Sequence, residues 1–142
     1  MSERRRNTSF YVETLLMIAV FIAIILVLTQ VFGLARRESD SARALTDAVV
    51  LAGNAAERLS LSDSPDALMA LTDEGSAEQK KNVITARYDR ALRPDPAGVY
   101  TVETVWQPEG ELARGVITVT LRGKAEPVYQ LETAVYLGEG AK

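Results

Sequence analysis

The spacing of hydrophobic and polar positions changes along the chain, and each change predicts a different element. Thr14 to Ala35 contains no residue with a formal charge. As a helix, this run of roughly 22 residues is about 33 Å long, enough to cross a hydrocarbon core about 30 Å thick. About fourteen strongly apolar side chains between Leu15 and Leu34 each favour insertion by about 0.3 to 0.6 kcal/mol, a sum on the order of 4 to 8 kcal/mol. A transmembrane helix is therefore predicted over residues 10–35.

Past Arg36 the pattern becomes that of an amphipathic helix, and no proline or glycine pair interrupts Leu34 to Ala52. Ala42, Leu45, Val49, Ala52, Ala56 and Leu59 recur at alternating spacings of three and four, which sets them along one side of a helix. Arg43, Asp47, Asn54, Glu57 and Arg58 are assigned to the opposite, wet side. The pattern predicts a stem helix over 36–60, so that one helix runs from Phe10 to Leu59 for roughly 75 Å. Two uses compete for an alanine-rich stripe: covering the sheet of its own domain, or pairing with a partner chain. About three heptads of mostly alanine make a weak zipper, which favours the sheet.

Residues 61–142 are predicted to form a head. Asp63-Ser64-Pro65-Asp66 breaks the stem and offers Ser64 or Asp66 as the cap of a short helix from about Ala67 to Thr72. Asp73 to Lys81 is polar and contains Gly75, the composition of a surface loop. From Asn82 the pattern turns to that of strands. Val83, Ile84, Thr85 and Tyr88 fit a first strand, closed by the turn Arg93-Pro94-Asp95-Pro96-Ala97-Gly98. Tyr100, Val102, Thr104 and Trp106 then alternate with polar neighbours, as do Ile117, Val119 and Leu121, and Tyr129, Leu131, Val135 and Leu137. Gln107 to Glu111 and Gly123 to Pro127 are short and contain glycine, so consecutive strands should pair antiparallel. The fold class expected is α+β: a long membrane-spanning helix continuing as a stem, packed on a small antiparallel sheet of three or four strands. Trp106, Tyr100 and Tyr129 are read as core residues of that sheet.

The setting of Glu13 at the head of the apolar run is the most informative local feature. Asn7-Thr8-Ser9-Phe10-Tyr11-Val12-Glu13-Thr14-Leu15-Leu16 resembles the start of a type IV pilin or type II secretion pseudopilin. In that family a short basic leader precedes an aromatic residue, two apolar residues and a glutamate that opens a membrane helix, and the helix continues as a stem. The resemblance implies a structural subunit, a minor pilin or pseudopilin, that assembles into a filament through its N-terminal helix. It implies an assembly and register role for Glu13, attracting the N-terminal amine of a neighbouring subunit. Thr8 and Ser9, where the family usually has glycine, become the candidate leader-peptidase site, with residues 1–9 as leader or cytoplasmic tail. Other pilin-like subunits, a prepilin peptidase and an inner-membrane assembly platform are the partners implied. Gln30 stands where many pilins carry a proline, with Gly33 just beyond, and neither is assigned as a site.

Charge and composition narrow the alternatives. Arg4, Arg5 and Arg6 precede the apolar run and are assigned to an anionic membrane surface, each worth about 1 kcal/mol. Arg36, Arg37 and Arg43 balance them on the far side, so the arginine count does not orient the span. The resemblance does, placing the N-terminus in the cytoplasm and the head outside it. The apolar run exceeds the 7–15 residues of a signal-peptide core. A net charge of −3 without a basic stripe gives no support for a nucleic-acid partner.

The chain contains no histidine and no cysteine, which removes imidazole bases, thiolate nucleophiles and the usual zinc ligands. Asp63, Asp66, Asp73 and Glu74 lack the ligand spacing of a calcium loop and are read as a solvated surface. No catalytic, cofactor-binding or metal-ligating residues are assigned, and no enzymatic activity is expected. The second reading is a bitopic membrane scaffold with a short coiled coil that recruits partners, similar to small cell-division proteins. The strand-rich half speaks against it.

Overall fold

The computed structural model describes residues 2–72 and 75–138, with the backbone alone for residues 2–7. Helix α1 is Ser2–Ser60, so helical structure extends back from Phe10 through residues assigned to the leader, where no glycine or proline opposes it. Two compact units divide the chain, one ending at Ser41 and the other beginning at Ala42.

In the second unit α1 stops at Ser60 and the chain turns. Helix α2, Pro65–Leu71, starts two residues earlier than the sequence suggests because Pro65 occupies its first turn, where a missing N–H costs nothing. Ser64 is the N-cap, its Oγ accepting from the Ala67 N–H at 3.2 Å. Strands β1 (Ala77–Lys80), β2 (Val83–Tyr88), β3 (Tyr100–Glu109), β4 (Leu112–Leu121) and β5 (Tyr129–Tyr136) follow in chain order and pair antiparallel in that order. The sheet therefore has five strands and not three or four. The extra one, β1, lies in the stretch read as a surface loop. Three of its four residues are exposed, so it has no buried alternation, and its backbone pairing with β2 from Ala77↔Ala86 to Lys80↔Val83 defines it.

The other strands lie where alternation put them, except that β3 continues through Glu109 and β4 begins at Leu112. The connection expected over Gln107 to Glu111 shrinks to Gly110 and Glu111 because polar residues at that end pair across the ladder. Tyr100, Val102, Thr104 and Trp106 are buried, as are Ile117 and Val119 on β4, while Tyr129 is half-buried. Between β2 and β3 the Asp89 carboxylate accepts from the Ala91 N–H at 2.8 Å and the Arg93 N–H at 2.9 Å. These bonds bracket Leu92, whose φ of 59° lies in the left-handed region. The Arg93 amide, joined by the Ala91 amide and the Arg93 guanidinium, holds the Asp89 carboxyl below the usual carboxylate range against an opposing effect of burial. Gly98 closes the same loop. A Cβ there would collide with the backbone of Tyr88, so glycine is required by the close approach of two chain segments.

The inner face of the sheet is covered by the last turns of α1. Ala48, Leu51, Ala52 and Ala55 pack against Ala86, Tyr88, Tyr100, Val102, Ile117 and Val119. A second cluster joins Leu59, Leu68, Ile84, Trp106 and Ala113. Leu59 is fully buried, and its Cδ1 fills the space where a Cβ on Gly115 would stand.

The register of the stem differs from the sequence expectation. Ala44, Ala48, Leu51, Ala52, Ala55 and Leu59 form the buried face, whereas Ala42, Leu45 and Val49 are exposed and Ala56 is half-buried. Small residues bring the helix backbone close to the sheet, and that gain decides which of two adjacent apolar stripes turns inward. Asp47 and Arg58, assigned to the wet side, instead flank the buried face and are half-buried.

Candidate functional site

The candidate site is α1 itself, taken in its two parts. From Leu15 to Leu34 large apolar side chains are exposed around the whole circumference, including Phe21 at 64% and Phe32 at 66%. A helix that is apolar on every side suits lipid, and this one is long and apolar enough to cross a membrane once. Its polar residues are accommodated locally. Thr14 Oγ1 donates to the Phe10 carbonyl at 2.9 Å and Thr29 Oγ1 to the Ile25 carbonyl at 2.8 Å, so neither hydroxyl needs an outside partner. Gln30 and Gly33 are exposed, and a Cβ added at Gly33 would meet open space.

Glu13 sits on the exposed surface of the same helix, one turn from Phe10 and next to Thr14. Among the described residues it has no hydrogen-bond or ion-pair partner. An unpartnered carboxylate at the edge of an apolar span is costly, and a cation brought by another chain would relieve that cost. Phe10 and Tyr11 stand before it with ring centroids 6.3 Å apart in an edge-to-face arrangement. Thr8 and Ser9 are helical and exposed. The side chains of Arg4, Arg5 and Arg6 lie outside the described residues, as do Asp73 and Glu74 of the acidic cluster. Within that cluster, the Asp66 carboxylate accepts from Gln79 Nε2 at 2.8 Å, tying α2 to β1.

In the second unit, two hydrogen bonds fix the stem on the sheet. The Tyr100 hydroxyl donates to the Asp47 carboxylate at 2.9 Å, and Arg58 Nη1 donates to the Tyr88 hydroxyl at 2.9 Å. Bonds to charged groups are worth about 1.5 to 3 kcal/mol when shielded from water. Burial, followed by the nearby Asp47 carboxylate, pushes the Tyr100 phenol up to about 12. Sequence reasoning placed Asp47 and Arg58 on the wrong side of the stem. The run of alanines at 44, 48, 52 and 55 was the available signal, since small residues at helical spacing mark the side of closest approach.

On the side of the stem away from this packing, Leu45, Val49 and Val50 remain 43–46% exposed. Gly53 lies on the same helix, and a Cβ added there would meet open space. The molecule thus has a pilin-like architecture, a long N-terminal helix whose last turns cover a five-stranded antiparallel sheet. No protein-family model, curated protein or solved structure matches the chain.

Proposed function

We propose that the chain is a structural, non-enzymatic pilin-like subunit, a minor pilin or pseudopilin, that resides in a membrane and assembles with like subunits through α1. One observation carries the reading: an apolar helix whose carboxylate at its head has no partner among the described residues, on the same chain as a head built on a covered antiparallel sheet. In the membrane the apolar stretch is solvated by lipid. In a filament it is packed among the same stretch of neighbouring subunits, and Glu13 meets the N-terminal amine of one of them. Leu45, Val49 and Val50 add apolar surface to that assembly. Thr8 and Ser9 serve as the peptidase site, Arg4 to Arg6 hold the N-terminus at the inner membrane surface, and the head lies outside the cytoplasm.

Two measurements test this. Intact mass and N-terminal sequencing of the protein from its native membrane should find a chain beginning at Ser9. A chain starting at Met1 or Ser2 would indicate a permanent anchor and bring the scaffold reading forward. Independently, Glu13→Ala should abolish filaments while the head melts as in the parent. Filaments of normal number and length from that variant would remove the role given to Glu13.

A further inference from the structure

Thr104 is a polar residue in an apolar place. It occupies an inward position of β3 between Val102 and Trp106, and its neighbours across the ladder, Ile84 on β2 and Ile117 on β4, are apolar and buried. It is itself only 5% exposed, yet its hydroxyl has no hydrogen-bond partner among the described residues. Two other buried hydroxyls are satisfied within the chain. Thr72 Oγ1 donates to the Leu68 carbonyl at 2.8 Å, and Ser62 Oγ donates to the Arg58 carbonyl at 2.7 Å. Among the described residues, no fully enclosed side-chain oxygen or nitrogen lacks a partner. The Thr104 oxygen therefore keeps some accessible surface, and Thr104 lines a void.

That void is a cavity of about 10 Å³ between the last turns of α1, the end of α2 and the sheet. Thr104, Thr72, Tyr88 and Arg58 form its polar wall, and the rest of the lining is apolar. The space is about that of one water sphere. A void of this size with an apolar lining stays dry, whereas one that offers about two to four polar groups holds a water. Arg58 Nη1 donates to the Tyr88 hydroxyl at 2.9 Å, so positive charge already borders the site and disfavours a cation there.

We propose that this cavity is a binding site for one structural water molecule. The water accepts from the Thr104 hydroxyl and donates to Thr72 Oγ1, whose own proton is engaged by the Leu68 carbonyl and whose lone pairs can accept. The Tyr88 hydroxyl borders the same space as a third polar group. One molecule thus joins β3 to the C-cap of α2 beneath the stem. Its presence accounts for threonine at a core position where valine would fill nearly the same volume, since a buried hydroxyl without a partner is costly. The site lies wholly within the second unit and is independent of any assembly through α1.

Diffraction from the full-length chain crystallised in a lipid phase tests this. An ordered water is expected within about 3.2 Å of both Thr104 Oγ1 and Thr72 Oγ1. Thr104→Val, which gives up the hydroxyl at nearly constant volume, should lose that water, and Thr104→Ser should keep it. An empty cavity in the parent overturns the proposal. So does a water of equal occupancy in Thr104→Val, which would be held without Thr104. Should Thr104→Val fail to melt cooperatively, magnetisation transfer from water to the Ala86 methyl, which also lines the cavity, decides the matter for the parent in lipid nanodiscs. Transfer is the expected result, and its absence overturns the proposal.

Discussion

Leu34 and Leu59 are leucines of one helix in opposite circumstances. Leu34 is 67% exposed and Leu59 fully buried beneath Gly115 of the sheet. The stretch around Leu34 is apolar on every side and built from large residues, while the stretch ending at Leu59 is apolar toward the sheet and built mainly from alanine. Large side chains all round maximise transfer into lipid, where no neighbour has to approach closely. Small ones on a single face let a helix backbone settle onto a sheet, and the stabilisation then comes from close packing over many contacts. Side-chain size, as much as hydrophobicity, separates the apolar first half of α1 from the half that packs on the sheet.

The sharpest way to break that contrast is to make the same substitution in both halves. Leu59→Ala should destabilise the head by about 2 to 5 kcal/mol, since it removes a fully buried side chain and leaves a cavity against Gly115 and Trp106. Leu34→Ala should leave the melting of the head within about 0.5 kcal/mol of the parent. Thermal unfolding followed by the circular dichroism of the strands distinguishes the two.

A smaller effect tests the register of the stem. Ala48→Leu should cost about 1 to 3 kcal/mol, because the added carbons meet a sheet already in contact with the helix. Leu45→Ala, only three residues away, should change stability by less than about 0.5 kcal/mol. Equal effects would mean that the stripe through Leu45 and Val49, and not the alanines, faces the sheet.

The smallest effect is the alkaline response of the bond that ties Tyr100 to Asp47. The Tyr100 phenol is pushed up to about 12, above the value near 10 of an unfolded tyrosine, so the neutral phenol is favoured in the folded chain. Its contribution is complete below pH about 10 and is lost as the pH rises toward about 12. Melting temperature should therefore fall over that interval in the parent and fall less in Tyr100→Phe.

Much of this fold was legible in the sequence, and the exceptions have physical causes. The long apolar helix, a cap at Ser64 or Asp66 and the alternating parts of strands β2 to β5 were readable because charge-free length, turn chemistry and alternation are local signals. Strand β1 was not, because a polar edge strand buries almost nothing and exists through its pairing with Ala86 to Val83. The rotation of the stem was misjudged for a related reason. Leu45 and Val49 are more hydrophobic than Ala44 and Ala48, yet the sheet selects by fit, which the sequence of one partner does not contain. At the candidate site, the apolar run could be picked out from charge pattern alone. Asp47 and Arg58 were placed on the wrong face, since each became a sheet contact only through a tyrosine distant in sequence.

The most direct test of the contrast is a cysteine scan along α1 in the native membrane, reading the rate of labelling by a water-soluble maleimide. Uniform protection is expected from residue 15 to residue 34. From residue 44 to residue 59 protection should be periodic, with Ala44, Ala48, Leu51, Ala55 and Leu59 shielded and Leu45, Val49 and Val50 labelled. Periodic labelling between 15 and 34 would contradict a lipid-solvated half, and uniform labelling beyond residue 44 would contradict a stem seated on its own sheet.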